Sequence, residues 1–241
     1  MLEIKQYSDI LLRAFKKHTR QQEVLAKKKE IFNTIFEIHN FAPEKVLFLG
    51  FTPMALASDI KNIYVAAISE DAVYYLESQG KTVTVIDPAD KNYTKYFDCV
   101  VAMDENFTFA DSEDGQRERV ELCARLSKDL IITTLRDYKN QEYKDREFSQ
   151  PAAIRSGMDI TAYLEYHDID FRNRAAWRTT VFELGQQMYK HGPFQRRTMF
   201  FKQMAKYTKD AGAVDFMVHK NLMYKSLIKK NYEHVISIKF E

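Results

Sequence analysis

Five short apolar runs order the first 136 residues: Val46 to Leu49, ended by Gly50, then Ile63 to Ile68, Thr82 to Ile86, Cys99 to Met103 and Leu130 to Leu135. Runs of this length that stay largely apolar read as strands buried on both faces. The stretches between them carry helix signals. Ser69 stands as an N-cap before Glu70-Asp71-Ala72-Val73-Tyr74-Tyr75-Leu76, with Gly80 at the stop. A polar helix is expected from about Asp114 to Lys128, carrying Val120, Leu122, Cys123 and Leu126. Apolar strands separated by helices call for a parallel sheet covered on both faces. Right-handed crossovers make that sheet open and doubly wound, an α/β fold.

The flanks differ in texture. Residues 2–39 repeat apolar positions at helical spacing without Gly or Pro, so a helical segment over 1–42 is expected to lead into a single domain over 43–241. Beyond residue 136, segments 160–171 and 176–184 read as an antiparallel strand pair. A basic helix over about 194–211 follows, ended by Gly212, and 214–219 and 234–240 read as a final strand pair. Residues 144–212 thus form an insertion, a hairpin plus a helix near the C-terminus.

Composition narrows the class. Seven Gly and five Pro in 241 residues exclude collagen-like or low-complexity chains. Cys99 and Cys123 make no disulfide framework and no zinc spacing. The six histidines are dispersed. His167 with Asp168 and Asp170 lies in an alternating strand that sends neighbours to opposite faces, so no metal site is expected. No apolar run approaches the ~20 residues of a membrane span, and the charged N-terminus lacks a secretory core. A soluble, cytoplasmic protein is expected. The net charge of +2 conceals a segregation: +4 over residues 1–30, −9 over 31–185 and +8 over 186–230. The two basic regions suit an anionic partner, nucleic acid first, and equally describe solvated helix faces. Within 194–211, helical geometry places Met199, Phe200, Met204 and Tyr207 inward and Arg196, Lys202, Lys206 and Lys209 outward.

This order of elements resembles the class I S-adenosylmethionine (SAM)-dependent methyltransferases over about residues 30–136. Asp87 follows the third strand, Phe97-Asp98 opens the fourth, and Leu122 to Thr133 runs from helix into the fifth. The resemblance implies a Rossmann-like doubly wound sheet with SAM as cofactor. It puts Asp87 at the adenine amino group, Gly50 and Phe51 in the glycine loop, and Ser69 and Glu70 near the ribose. Glu70 also reads simply as a first-turn acid favoured by the helix dipole. Two departures stand out. Gly50-Phe51-Thr52-Pro53-Met54 replaces Gly-x-Gly-x-Gly, and Phe48 and Ala67 take positions where the family carries acids.

On the substrate side, Asp104-Glu105-Asn106-Phe107 leaves the fourth strand where amino-directed DNA methyltransferases carry their own polar and aromatic pair. Asp104 is placed there as base or orienting acceptor and Phe107 as a stacking face, or the segment is an ordinary polar loop. Arg136, leaving the fifth strand, is a candidate substrate contact. The reading is SAM-dependent methyl transfer to an unidentified acceptor, nucleic acid among the candidates. The alternative is a non-catalytic methyltransferase-like protein that binds nucleic acid or a protein partner through its basic surfaces.

Overall fold

A computed structural model describes residues 2–103, 113–136, 201–225, 227 and 232–241. The expected helical stretch over 2–39 is two helices, α1 (Leu2–Lys17) and α2 (Gln21–His39). Nothing in the local composition marks the break, yet it is well capped. The Gln21 side chain donates to the carbonyls of Phe15 (3.0 Å) and Lys16 (2.9 Å), and the Arg20 N–H donates to His18 Nδ1 (3.1 Å). The two Gln21 bonds satisfy orphan carbonyls of the last turn of α1. α2 ends at Asn40 in the left-handed region, φ 46°, which Asn tolerates better than most residues.

Among the described residues seven strands follow: β1 (Val46–Leu49), β2 (Asn62–Ala66), β3 (Thr82–Val85), β4 (Phe97–Ala102), β5 (Ser127–Arg136), β6 (Asp215–Lys225) and β7 (Tyr232–Lys239). The described helices between them are α3 (Pro53–Ala57), α4 (Glu70–Ser78), α5 (Glu113–Leu126) and α6 (Phe201–Asp210). The sheet order is β3-β2-β1-β4-β5-β7-β6. The first five strands are parallel, while β7 runs antiparallel to both β5 and β6. The chain steps outward from β1 to β2 and β3 on one side and to β4 and β5 on the other. That reversal opens a crevice at the carboxyl ends of β1 and β4.

Side-chain alternation divides the core in two. Val46, Phe48, Val65, Val101 and Ile132 pack with Ile31, Phe32 and Ile35 of α2 and with Leu76 of α4. Leu47, Leu49, Val100, Ile131 and Ile236 pack with Val120, Cys123 and Leu126 of α5 and with Met204 and Tyr207 of α6. Both faces of the central strands are covered, which is why their sequences are apolar throughout. In α6 Lys206 and Lys209 are exposed opposite buried Met204 and Tyr207, the inward and outward split expected from helical spacing.

Two features depart from expectation. Among the described residues β3 is the edge strand and pairs with β2 alone, and Val85 is 57% exposed. Its link to β4 contains a 3-10 turn, Lys91–Tyr93, rather than a full helix. An aromatic cluster packs there instead: Tyr64, Tyr93 and Tyr96 surround Phe97 with ring centroids 5.2, 5.6 and 5.0 Å away. Asp98 is a structural residue. Its carboxylate accepts from the N–H groups of Glu44 and Lys45, both at 2.9 Å, and ties the start of β4 to the chain entering β1. The expected strand pair over 160–184 lies outside the described residues, as does most of the expected insertion.

Candidate functional site

Two left-handed turns shape the carboxyl edge of the sheet. Gly50, φ 74°, closes β1 and donates its N–H to Ala66 O at 2.8 Å. Glycine adopts this conformation without a Cβ penalty. Ala67, φ 52°, turns the chain out of β2. For a residue with a Cβ that conformation costs on the order of 1 kcal/mol.

Beyond Gly50 the chain forms α3. Thr52 caps it by accepting from the Met54 N–H at 3.3 Å, and Pro53 takes the first helical position, where its missing N–H costs nothing. Phe51, Thr52 and Met54 are fully buried. Where a glycine loop would leave space, this loop fills it with side chains.

What covers Phe51 is α1. Its buried stripe of Ile4, Ser8, Leu11, Leu12 and Phe15 sits at helical spacing. Ile4 joins the core cluster on one face of the sheet, whereas Leu11, Leu12 and Phe15 join the other. The helix therefore crosses the carboxyl edge from face to face. Three ties fix it. The Phe51 N–H donates to Ser8 Oγ at 2.9 Å, and that hydroxyl donates to Ile4 O at 2.7 Å. The Ser69 hydroxyl donates to the Asp9 carboxylate, while its oxygen caps α4 by accepting from the Ala72 N–H at 3.3 Å. Phe15, Phe51 and Tyr75 form an aromatic triangle with centroid separations of 6.2, 6.5 and 6.3 Å. Lys16 Nζ lies 4.6 Å over the Tyr75 ring.

The structure places the sequence-predicted residues as follows. Gly50, Phe51 and Ser69 come together under α1. Glu70 is exposed in the first turn of α4, the end favoured for an acid by the helix dipole. Asp87 is exposed just beyond β3. Its Oδ1 accepts from the Ala89 N–H at 2.9 Å and its carbonyl from the Asp90 N–H at 3.1 Å, forming a tight turn. Arg136 ends β5 and pairs with Glu233 of β7 through the backbone. Asp104 and Phe107 lie outside the described residues. Ser8, Asp9 and Phe15 were not singled out from the sequence. Their signal was Ser8 itself, a polar residue at an apolar position of the stripe.

For a nucleoside cofactor the donor set is divided. The left-handed Gly50 turn and the exposed carboxylates of Glu70 and Asp87 suit one. The Phe51 N–H and Ser69 O–H point at α1, so the loop fits such a ligand only with the helix displaced. Neither cysteine offers a thiolate. Burial pushes the Cys99 thiol well up and the Cys123 thiol up to about 12. Away from this edge, Ser237 Oγ lies 2.8 Å from His39 Nε2 and 2.7 Å from His219 Nε2, joining the end of α2 to the β6–β7 hairpin.

No family model matches the sequence, and no curated protein matches it. Solved structures do match. A SAM-dependent methyltransferase from Clostridium acetobutylicum is 11% identical, with 90% of this chain and 92% of that chain covered and a TM-score of 0.53. Magnesium protoporphyrin IX methyltransferase from Synechocystis, crystallised with S-adenosylhomocysteine (SAH), is 12% identical over 92% and 84%, TM-score 0.50. A SAM-dependent methyltransferase from Methanosarcina mazei is 14% identical over 85% and 96%, TM-score 0.50. The chain spans 55% of a longer Nostoc punctiforme chain that it also matches. Likenesses at this identity establish the fold: the chain has the class I SAM-dependent methyltransferase fold. No helix among the described residues is long and apolar enough to cross a membrane.

Proposed function

We propose that this chain is a SAM-dependent methyltransferase whose cofactor binds at the carboxyl edge of β1, β2 and β3. The observation that carries the reading is the switch point itself. A left-handed Gly50 turn follows β1 within the sheet order β3-β2-β1-β4-β5-β7-β6, and exposed Glu70 and Asp87 follow β2 and β3. Bound SAM supplies an electrophilic methyl group. The residues of the chain do the rest. The Asp87 carboxylate accepts from the adenine amino group, Glu70 accepts from ribose hydroxyls, and Gly50 lets the backbone approach closely. Asp104 orients the acceptor nucleophile and takes its proton where it carries one, with Phe107 and Arg136 on the acceptor side. Positioning supplies most of the acceleration. Nucleic acid is the acceptor class to test first, because residues 186–230 carry a net +8. Phosphate contacts there would make binding fall steeply with salt.

A second reading has its own observation. With the Phe51 N–H and Ser69 O–H both committed to α1, the edge is that of a methyltransferase-like protein that binds a partner without catalysis. Calorimetric titration with SAM and with SAH separates the two. Under the first reading the wild type binds, and Asp87→Ala weakens binding about tenfold to a hundredfold, the loss of a charged hydrogen bond. A folded wild type that takes up neither ligand leaves the second reading.

A further inference from the structure

Resting on the cofactor reading, we propose that α1 is an autoinhibitory strap: it docks on the cofactor loop in competition with the nucleoside. Two of the five residues assigned to the cofactor, Phe51 and Ser69, are tied up by α1, while Gly50, Glu70 and Asp87 are not. Ser8 takes the Phe51 N–H, the backbone donor next to the Gly50 turn. Asp9 takes the hydroxyl of Ser69 at the head of α4, beside Glu70. Phe15 holds the Phe51 ring within the volume between α1 and α4 by packing against it and against Tyr75. Helix and ligand therefore exclude one another.

The strap is separable from the rest of the molecule. α1 belongs to no strand ladder and meets the edge through side chains. The His18–Arg20 break makes it a helix separate from α2, joined to it by the Gln21 side chain, and α2 has buried residues of its own in Ile31, Phe32 and Ile35. Undocking α1 breaks no strand pairing, and its cost is the exposure of Ile4, Leu11, Leu12 and Phe15. When the competent state is a minor fraction, apparent affinity falls by that fraction, and each tie removed raises it.

Ser8→Ala removes the acceptor of the Phe51 N–H, and Asp9→Asn removes the charge facing Ser69. Both changes are mild enough for the protein to fold, which thermal melts verify. SAH is titrated calorimetrically into the wild type and both variants, and hydrogen exchange is followed at Phe51 and along α1. The expected result is about tenfold tighter SAH binding by each variant. SAH is also expected to accelerate exchange along α1 in the wild type. Equal SAH affinity in all three proteins, with α1 exchange unchanged by ligand, overturns the strap and leaves the cofactor site standing. No SAH binding by any of them, although exchange at Phe51 rises in the variants, overturns the cofactor reading and the competition together.

Discussion

The Ser237 hydroxyl between two imidazoles makes a prediction about acid. Ser237 is 1% exposed and His219 7%, with His39 half-buried at the end of α2. The two rings stand 6.4 Å apart, edge to face. One hydroxyl has one proton, so Ser237 donates to one Nε2 and accepts from the other, an arrangement that needs a neutral imidazole on at least one side. Burial lowers the His39 pKa, with Lys239 adding to it and Asp215 opposing. Burial also lowers that of His219, helped by His39 and again opposed by Asp215. Below about pH 6.5 the unfolded chain therefore binds more protons than the folded one. The stability contributed by both histidines is complete above that pH and drains away as pH falls through the depressed folded values. Ser237→Ala leaves buried imidazole nitrogens without their partner. The cost is about 2 kcal/mol, which in a chain of this size lowers Tm by roughly 4–8 °C. Melts between about pH 7.5 and 5 on wild type, Ser237→Ala, His39→Gln and His219→Gln test this. Each Gln variant removes one titrating group and flattens the acid limb. A wild type whose Tm holds constant or rises through that window refutes the reasoning, as does a Ser237→Ala protein as stable as the wild type.

Two further predictions concern residues that share sequence positions with the family's motifs. Asp98→Ala strips the acceptor from the Glu44 and Lys45 N–H groups and lowers stability by about 2 kcal/mol in urea titration. SAH affinity is expected to stay unchanged, because these contacts lie at the amino end of the sheet. Phe51→Ala empties a fully buried site between Phe15 and Tyr75 and costs about 3–5 kcal/mol, a core-sized loss from a position in the loop after β1. A loss within experimental error would mean that the ring packs against nothing.

The central strands were legible because burial on two faces leaves no room for polar alternation. Val46 to Leu49 and Val100 to Ala102 have no exposed residue to betray a face. β3 carries a similar Thr-Val-Thr-Val text, yet it stands at the edge beside a link without a full helix. Edge or centre is a property of neighbours rather than of the segment. The break between α1 and α2 was hidden for a related reason. Its cap comes from the Gln21 side chain folding back on Phe15 and Lys16, in a stretch with no Gly or Pro. Asp98 was visible as part of a motif, but its partners lie more than fifty residues earlier in sequence, so its structural role had to wait for the fold. Gly50, Ser69 and Asp87 were located by counting from strand ends. That α1 would lie upon two of them was written only in Ser8, one hydroxyl in an apolar stripe.

The altered loop and the docked helix are one structural solution rather than two. Glycines after β1 would leave a void at the carboxyl edge, and an empty apolar void costs stability unless a ligand fills it. Phe51 and Met54 fill it from below, but a fully buried Phe51 ring needs a surface above it. Phe15 supplies that surface only because α1 crosses the edge. Ser8 then meets the one backbone donor that such a crossing would otherwise bury unpaired. Remove the helix and the loop exposes an aromatic ring and a free N–H. Replace Phe51 with glycine and the helix loses its anchor. A cofactor at this edge must therefore compete with a packed hydrophobic contact, not merely with water.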